Sequence, residues 1–137
     1  MSVYEFHKLK PELYLIVWCD FPTALQGEKF LQELQEIIEH ADRKICFLSD
    51  LRRGYIKDTL QISKLSKLIA HPNCGPTTAF GSMGSQVFVG VTHRLLQRAQ
   101  RNDFGWATLT EALKYLEQMQ SGITADIQWD KVVDALV

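Results

Sequence analysis

KICFLSDLRRGYIKDTLQISKLSKLI, Lys44 to Ile69, reads as a strand, a polar loop and a helix, and the rest of the chain can be laid out around it. Ile45, Cys46, Phe47 and Leu48 are four consecutive apolar residues, the pattern of a strand buried on both faces of a sheet. RRGYIK, Arg52 to Lys57, is a polar break. Asp58 with Gln61 three residues on has capping-box spacing, and Ile62, Leu65, Leu68 and Ile69 recur on one helical face. In open α/β sheets, ligands and reactive groups collect at the carboxyl ends of the strands. That is where Asp50, Arg52, Arg53 and Thr59 are expected to sit.

Working outward, Val3 to Lys8 and Leu13 to Cys19 are rich in β-branched and aromatic residues and are joined by the short Lys10-Pro11-Glu12 connection, which predicts a β-hairpin. ELYLIVWC is apolar at nearly every position and belongs inside the sheet, whereas Glu5, His7 and Lys8 mark the first strand as an edge. Thr23 and Gln26 form a capping box for a helix carrying Phe30, Leu31, Leu34, Ile37, Ile38 and Ala41 on one face. Beyond the central stretch, His71-Pro72-Asn73 stops the second helix, and Thr77 to Phe80 is a short strand ending in GSMGS. Ser85 opens a third helix through Val87, Phe88, Val91, Leu95, Leu96 and Ala99, and Phe104 to Ala107 is a last short strand. Thr108-Leu109-Thr110-Glu111 caps a fourth helix, and Asp126 to Leu136 is a short amphipathic tail.

The order β-β-α-β-α-β-α-β-α implies parallel neighbours with an antiparallel hairpin at one edge. The expected fold class is therefore α/β, a mixed sheet of about five strands with helices packed on it and a short C-terminal helix. One domain over residues 1–137 is expected, with its core at about 3–119 and 121–137 as a C-terminal appendage. A chain of 137 residues can bury roughly 68% of its unfolded surface without a disulfide or metal. Net charge is −1, which gives bulk electrostatics no reason to recruit nucleic acid or a membrane. Cys19, Cys46 and Cys74 are odd in number, and two of them sit in or at the end of apolar strands, as reduced thiols do in a cytosolic protein. The N-terminus lacks an apolar signal-peptide core and no apolar run reaches membrane-span length, so the expected location is cytoplasmic.

YLIVWCD, FLSDLR, HPNCGPTTAFGS and FGWATLTEALKYL together resemble the SpoIIAA-like fold of the STAS domains and the small STAS/SEC14-type bacterial proteins. The likeness covers about Val3 to Met119. It implies the two-layer SpoIIAA-like (STAS) architecture and a regulatory role through protein partners. Anti-sigma factor antagonists of this type place a phosphorylated serine after an aspartate at the start of the helix following the central strand. Asp58-Thr59 occupies that place here, with threonine for serine and without the Gly-rich turn that follows in the family motif.

Each chemistry-bearing cluster also has a plainer use. Asp58-Thr59 is a phosphoacceptor candidate at a helix N-terminus, where the dipole favours negative charge, and Ser63 is a second candidate; the commoner use of such an aspartate is an N-cap. Ser82, Gly84 and Ser85 in the GSMGS turn are anion-binding candidates, although the stretch matches neither phosphate-loop pattern. Arg94, Arg98 and Arg101 line one helical face, the first two as further anion-binding candidates, and such a row is usually a solvated face. His71 and Cys74 offer two metal-ligand types without the second pair that a zinc site needs. Asp20 and Asp50 both end strands, where turn roles are commoner than acid/base chemistry.

The expectation is a non-enzymatic regulatory or protein-interaction module, without cofactor or metal. It would work through Asp50, Arg52, Arg53, Tyr55, Lys57 and Asp58 in the loop Leu51 to Thr59, with Thr59 or Ser63 phosphorylation as a switch. A protein partner is expected, nucleic acid and an integral membrane segment are not, and a homodimer through the edge hairpin or an apolar helix face is compatible with the pattern. The alternative is a carrier of a small apolar or lipid-like ligand, lined by Phe80, Phe88, Phe104 and Trp106. An enzyme ranks third, since no nucleophile, base and orienting group assemble from the motifs.

Overall fold

In a computed structural model of the protein, residues 2–81, 105–106 and 108–136 are described. Among these residues five strands form one mixed sheet in the order β1 (Tyr4–Lys10), β2 (Leu13–Trp18), β3 (Ile45–Asp50), β4 (Cys74–Phe80), β5 (Gly105–Trp106). β1 and β2 are the antiparallel hairpin, with β1 at the edge, and the remaining pairs are parallel. The helices are α1 (Ala24–Glu39), α2 (Thr59–Ile69), α3 (Leu109–Met119) and α4 (Trp129–Leu136). Ser82, Gly84, Ser85, Arg94, Arg98 and the expected third crossover helix lie outside the described residues. So does Phe88, with Phe104, of the aromatic set proposed to line a carrier cavity; Phe80 is buried in the core.

Strand alternation explains the layering. Ile16, Trp18, Ile45 and Phe47 face α1 and α2, where they meet Phe30, Leu31, Leu34, Ile38 and Ile62. Leu13, Leu15, Val17, Cys46, Leu48 and Phe80 face the other way and pack with Ala112, Leu116, Ile123 and Val133. The two-layer expectation thus becomes helix layers on both faces of the interior strands, because β2 and β3 are apolar on both sides and both sides need cover. α1 and α2 share a face, as right-handed crossovers between successive strands require.

Local chemistry sets most boundaries as expected. The Thr23 side chain accepts from Gln26 N at 3.2 Å while Gln26 Oε1 accepts from Thr23 N at 2.8 Å, closing the capping box. Two details differ. β4 begins at Cys74, three residues before the expected start, because Pro76 is accommodated at a register shift between Ile45↔Cys74 and Phe47↔Thr77. A bulge is where a strand tolerates a missing N–H. Gln61 does not close a box on Asp58; its side chain is buried and its Nε2 donates to Ala24 O at 2.8 Å, tying the first turn of α2 to that of α1.

That tie depends on a glycine. A Cβ on Gly27 would lie 2.2 Å from Gln61 Oε1. Gly27→Ala is therefore expected to destabilise, although alanine is the better helix former by roughly 0.5–1 kcal/mol. In a Gln61→Ala background the same change is expected to recover that roughly 0.5–1 kcal/mol. Urea denaturation of the four proteins reads the sign reversal; a destabilising Gly27→Ala in both backgrounds contradicts it.

The segment after α3 is fastened by Glu117. Its carboxylate accepts from Gly122 N at 2.7 Å and Thr124 N at 2.8 Å, and from the Thr124 hydroxyl, while Lys10 Nζ donates to Gly122 O at 3.0 Å. The Thr124 hydroxyl, followed by the two backbone donors, holds the Glu117 carboxyl below its ordinary 4.5. A lowered folded value means that the carboxylate stabilises fully above 4.5 and loses that contribution as pH falls through the folded value. Trp129 Nε1 donates to Thr124 O at 3.0 Å, so its indole N–H resonance reports the fastening. It is expected to move with pH only below about 4.5, and to lose that dependence in Glu117→Gln.

Candidate functional site at the carboxyl edge of the sheet

Val17, Asp50 and Phe80 stand in register at the ends of β2, β3 and β4, and α1 and α2 begin beside them. The sequence-expected loop residues meet here. Asp50 is 2% exposed, and a buried carboxylate needs compensation. Arg52 supplies it three times: Nε to Oδ1 at 3.0 Å, Nη2 to Oδ2 at 2.8 Å and its own backbone N to Oδ1 at 3.1 Å. The bidentate fork fixes the guanidinium, which also lies 5.5 Å from the Phe80 ring centroid.

The loop of residues 51–58 is held down at alternate points. Leu51 and Ile56 are buried in the α1/α2 core, and Gly54 lies so close to the preceding β2–α1 connection that a Cβ would be 2.1 Å from Asp20 O. Between these anchors the loop offers Arg53, half-buried Tyr55 and exposed Lys57. Tyr55 and Phe21 meet edge to face with centroids 5.0 Å apart, and Lys57 Nζ sits 4.0 Å from the Phe21 ring centroid, a cation–π contact at the surface. Asp58 caps α2 by accepting from Gln61 N at 3.0 Å, which leaves Thr59 exposed in the first turn. Ser63 is half-buried one turn further along.

Other expected groups are used locally. Asp20 Oδ1 accepts from Phe21 N at 2.7 Å, while Asp50 is committed to Arg52. His71 Nδ1 accepts from Asn73 N at 3.0 Å, and Cys74 Sγ lies 3.3 Å from Thr77 Oγ1. Cys19 has its thiol pushed up by burial and the nearby Glu5 carboxylate, which outweigh Arg53. That disfavours the nucleophilic thiolate.

Sequence reading missed the apolar part of this edge. Phe21 is 44% exposed, Leu25 81% and Leu60 75%. Leu25 and Leu60 are each the second residue of a helix, out of phase with its buried stripe. That phase mismatch is the signal that marks them as surface leucines.

No family model matches the sequence, and no curated protein matches it significantly. Among solved structures the chain is similar to "Structure of the Anti-Sigma Factor Antagonist SpoIIAA in its Unphosphorylated Form". The identity is 13% and the TM-score 0.56, over 84% of this chain and 96% of that one. No helix among the described residues is long and apolar enough to cross a membrane. The strand order, the antiparallel edge hairpin and this match agree: the chain has the SpoIIAA-like fold.

Proposed function

We propose that the protein is a non-enzymatic regulatory module that docks a protein partner on the carboxyl edge of its sheet, with Thr59 phosphorylation as the switch. The observation that carries this reading is the rigid loop over buried Asp50, which presents Tyr55, Lys57 and Asp58 beside the exposed Phe21, Leu25 and Leu60. Aromatic, leucine and lysine side chains on a fixed backbone make a recognition surface whose ordering cost is already met in the free protein. The topology also favours a surface over a pocket. α1 and α2 leave the sheet on the same face, so the strand-order reversal that opens a ligand crevice does not occur between β2, β3 and β4. The similar fold of an anti-sigma factor antagonist supports partner binding as the mode of action.

Phosphate on Thr59 would meet the N-terminal amides of α2, which favour it, and the Asp58 carboxylate, which repels it. The cap would have to rearrange, and the edge would turn negative around Lys57. The test is phosphosite mapping of protein purified from its native cells, with partner capture by wild type, Thr59→Asp and Lys57→Glu. Phosphate on Thr59 and one partner retained by wild type but lost by both variants is the expected result. Unmodified Thr59 with capture indifferent to both variants overturns the reading.

A further inference from the structure

α1 and α2 flank an open groove of about 690 Å³ whose lining includes none of residues 51–58. Leu31 and Leu68 form its floor, and Leu25 stands at its mouth. Leu60, Lys64, Lys67 and Leu68 recur at helical spacing, so the exposed Leu60 extends the α2 wall of the groove beyond its lining residues. The charged lining is three lysines, Lys29, Lys64 and Lys67, against one glutamate, Glu28. Lys64 Nζ neutralises Glu28 at 2.9 Å, which leaves Lys29 and Lys67 without an acidic partner among the described residues.

We propose that this groove binds an acidic amphipathic helix of a partner protein. The lining on α1 runs from Leu25 to Gln35, roughly 15 Å at 1.5 Å per residue, which matches about three turns of a helix. The apolar floor takes leucine-like side chains at i, i+3 or i+4, and i+7, and the lysines flank them as counter-charges for glutamate or aspartate. Concavity argues against a bilayer, since a flat interface would reach the exposed Leu25 and Leu60 but not the floor at Leu31, which is 5% exposed. The charge excess argues against a second copy of this chain, whose own net charge of −1 is small and whose α3 mixes Glu111 and Glu117 with Lys114. The groove shares Leu25 and Leu60 with the carboxyl edge but uses none of the loop of residues 51–58, so changes in that loop separate the two surfaces.

The test uses the full chain, ¹⁵N-labelled, titrated with a designed helical peptide that carries leucines at i, i+3, i+4 and i+7 and glutamates elsewhere. A twin peptide has lysine for every glutamate. Amide shifts centred on Lys29, Gln32, Lys64 and Leu68 are expected with the acidic peptide, at least tenfold weaker binding with the basic twin, and inversion of that preference in Lys29→Glu/Lys67→Glu. Tyr55→Ala/Lys57→Glu is expected to leave the acidic peptide's affinity unchanged, which separates this groove from the carboxyl edge. Equal binding of both peptides, binding of neither, or shifts centred on residues 51–58 overturns the proposal. So do concentration-dependent shifts without peptide, which mean self-association, and binding to phosphatidylglycerol vesicles in place of the peptide, which means a membrane surface.

Discussion

Arg52→Ala is expected to lower stability by about 2–3 kcal/mol at neutral pH, far more than the fraction of a kcal/mol typical of an arginine at a surface. The reason lies in its partner. Asp50 is 2% exposed and receives three hydrogen bonds from Arg52, two of them from the side chain. Removing the guanidinium leaves a buried carboxylate with one backbone donor from Arg52, and breaking a buried pair from one side costs about 3–5 kcal/mol when both partners are fully buried. Arg52 itself is 37% exposed, so part of the attraction is screened and the expected cost falls at or below the bottom of that range. Asp50→Asn is expected to cost less, since an amide keeps an acceptor for Arg52 N and sheds the buried charge. The drop in Tm expected for Arg52→Ala is roughly 10 °C. A change under about 1 kcal/mol would show that the pair is a surface contact of the ordinary kind.

Gly54→Ala is expected to cost about 3 kcal/mol, the upper end for one inserted methyl group. The new Cβ would stand 2.1 Å from Asp20 O, 2.2 Å from Asp20 C and 2.7 Å from Phe21 N, all backbone atoms with no rotamer to yield. Either the loop or the β2–α1 connection must move, and the Phe21, Tyr55 and Lys57 contacts span the two. The near-ultraviolet circular dichroism, to which Tyr55 contributes, is therefore expected to change together with stability. A Gly54→Ala protein with native spectrum and stability would mean that the loop is not anchored there.

Much of this was legible in the sequence because several signals agreed. The apolar runs at Leu13–Trp18 and Ile45–Asp50 identified strands buried on both faces, and Thr23 and Thr108 marked helix starts with their partners three residues on. The gathering of Asp50, Arg52, Tyr55, Lys57 and Asp58 at one edge follows from parallel strands that all end there. Long-range choices were not legible. Gln61 has the spacing of a capping box, yet the acceptor it uses is Ala24 O, 37 residues away, made reachable by Gly27. Pro76 conceals the start of β4 because a bulge, a property of the strand pair, absorbs it. Ile123 and Val133 read as a tail and prove buried, since the apolar underside of β2 and β3 needs cover that α3 alone does not supply. Phe21, Leu25 and Leu60 carry the converse lesson: an apolar residue out of phase with its helix or strand is a candidate for contact with another molecule.

Photo-crosslinking in native cells tests the central claim most directly. A photoreactive amino acid at Lys57, on the carboxyl edge, is compared with one at Gln118, exposed on α3 at the opposite face. One discrete adduct is expected from position 57, none from position 118, and loss of the adduct when Thr59→Asp is added. Adducts of equal yield from both positions, or from position 118 alone, would contradict the assignment of the carboxyl edge as the partner surface.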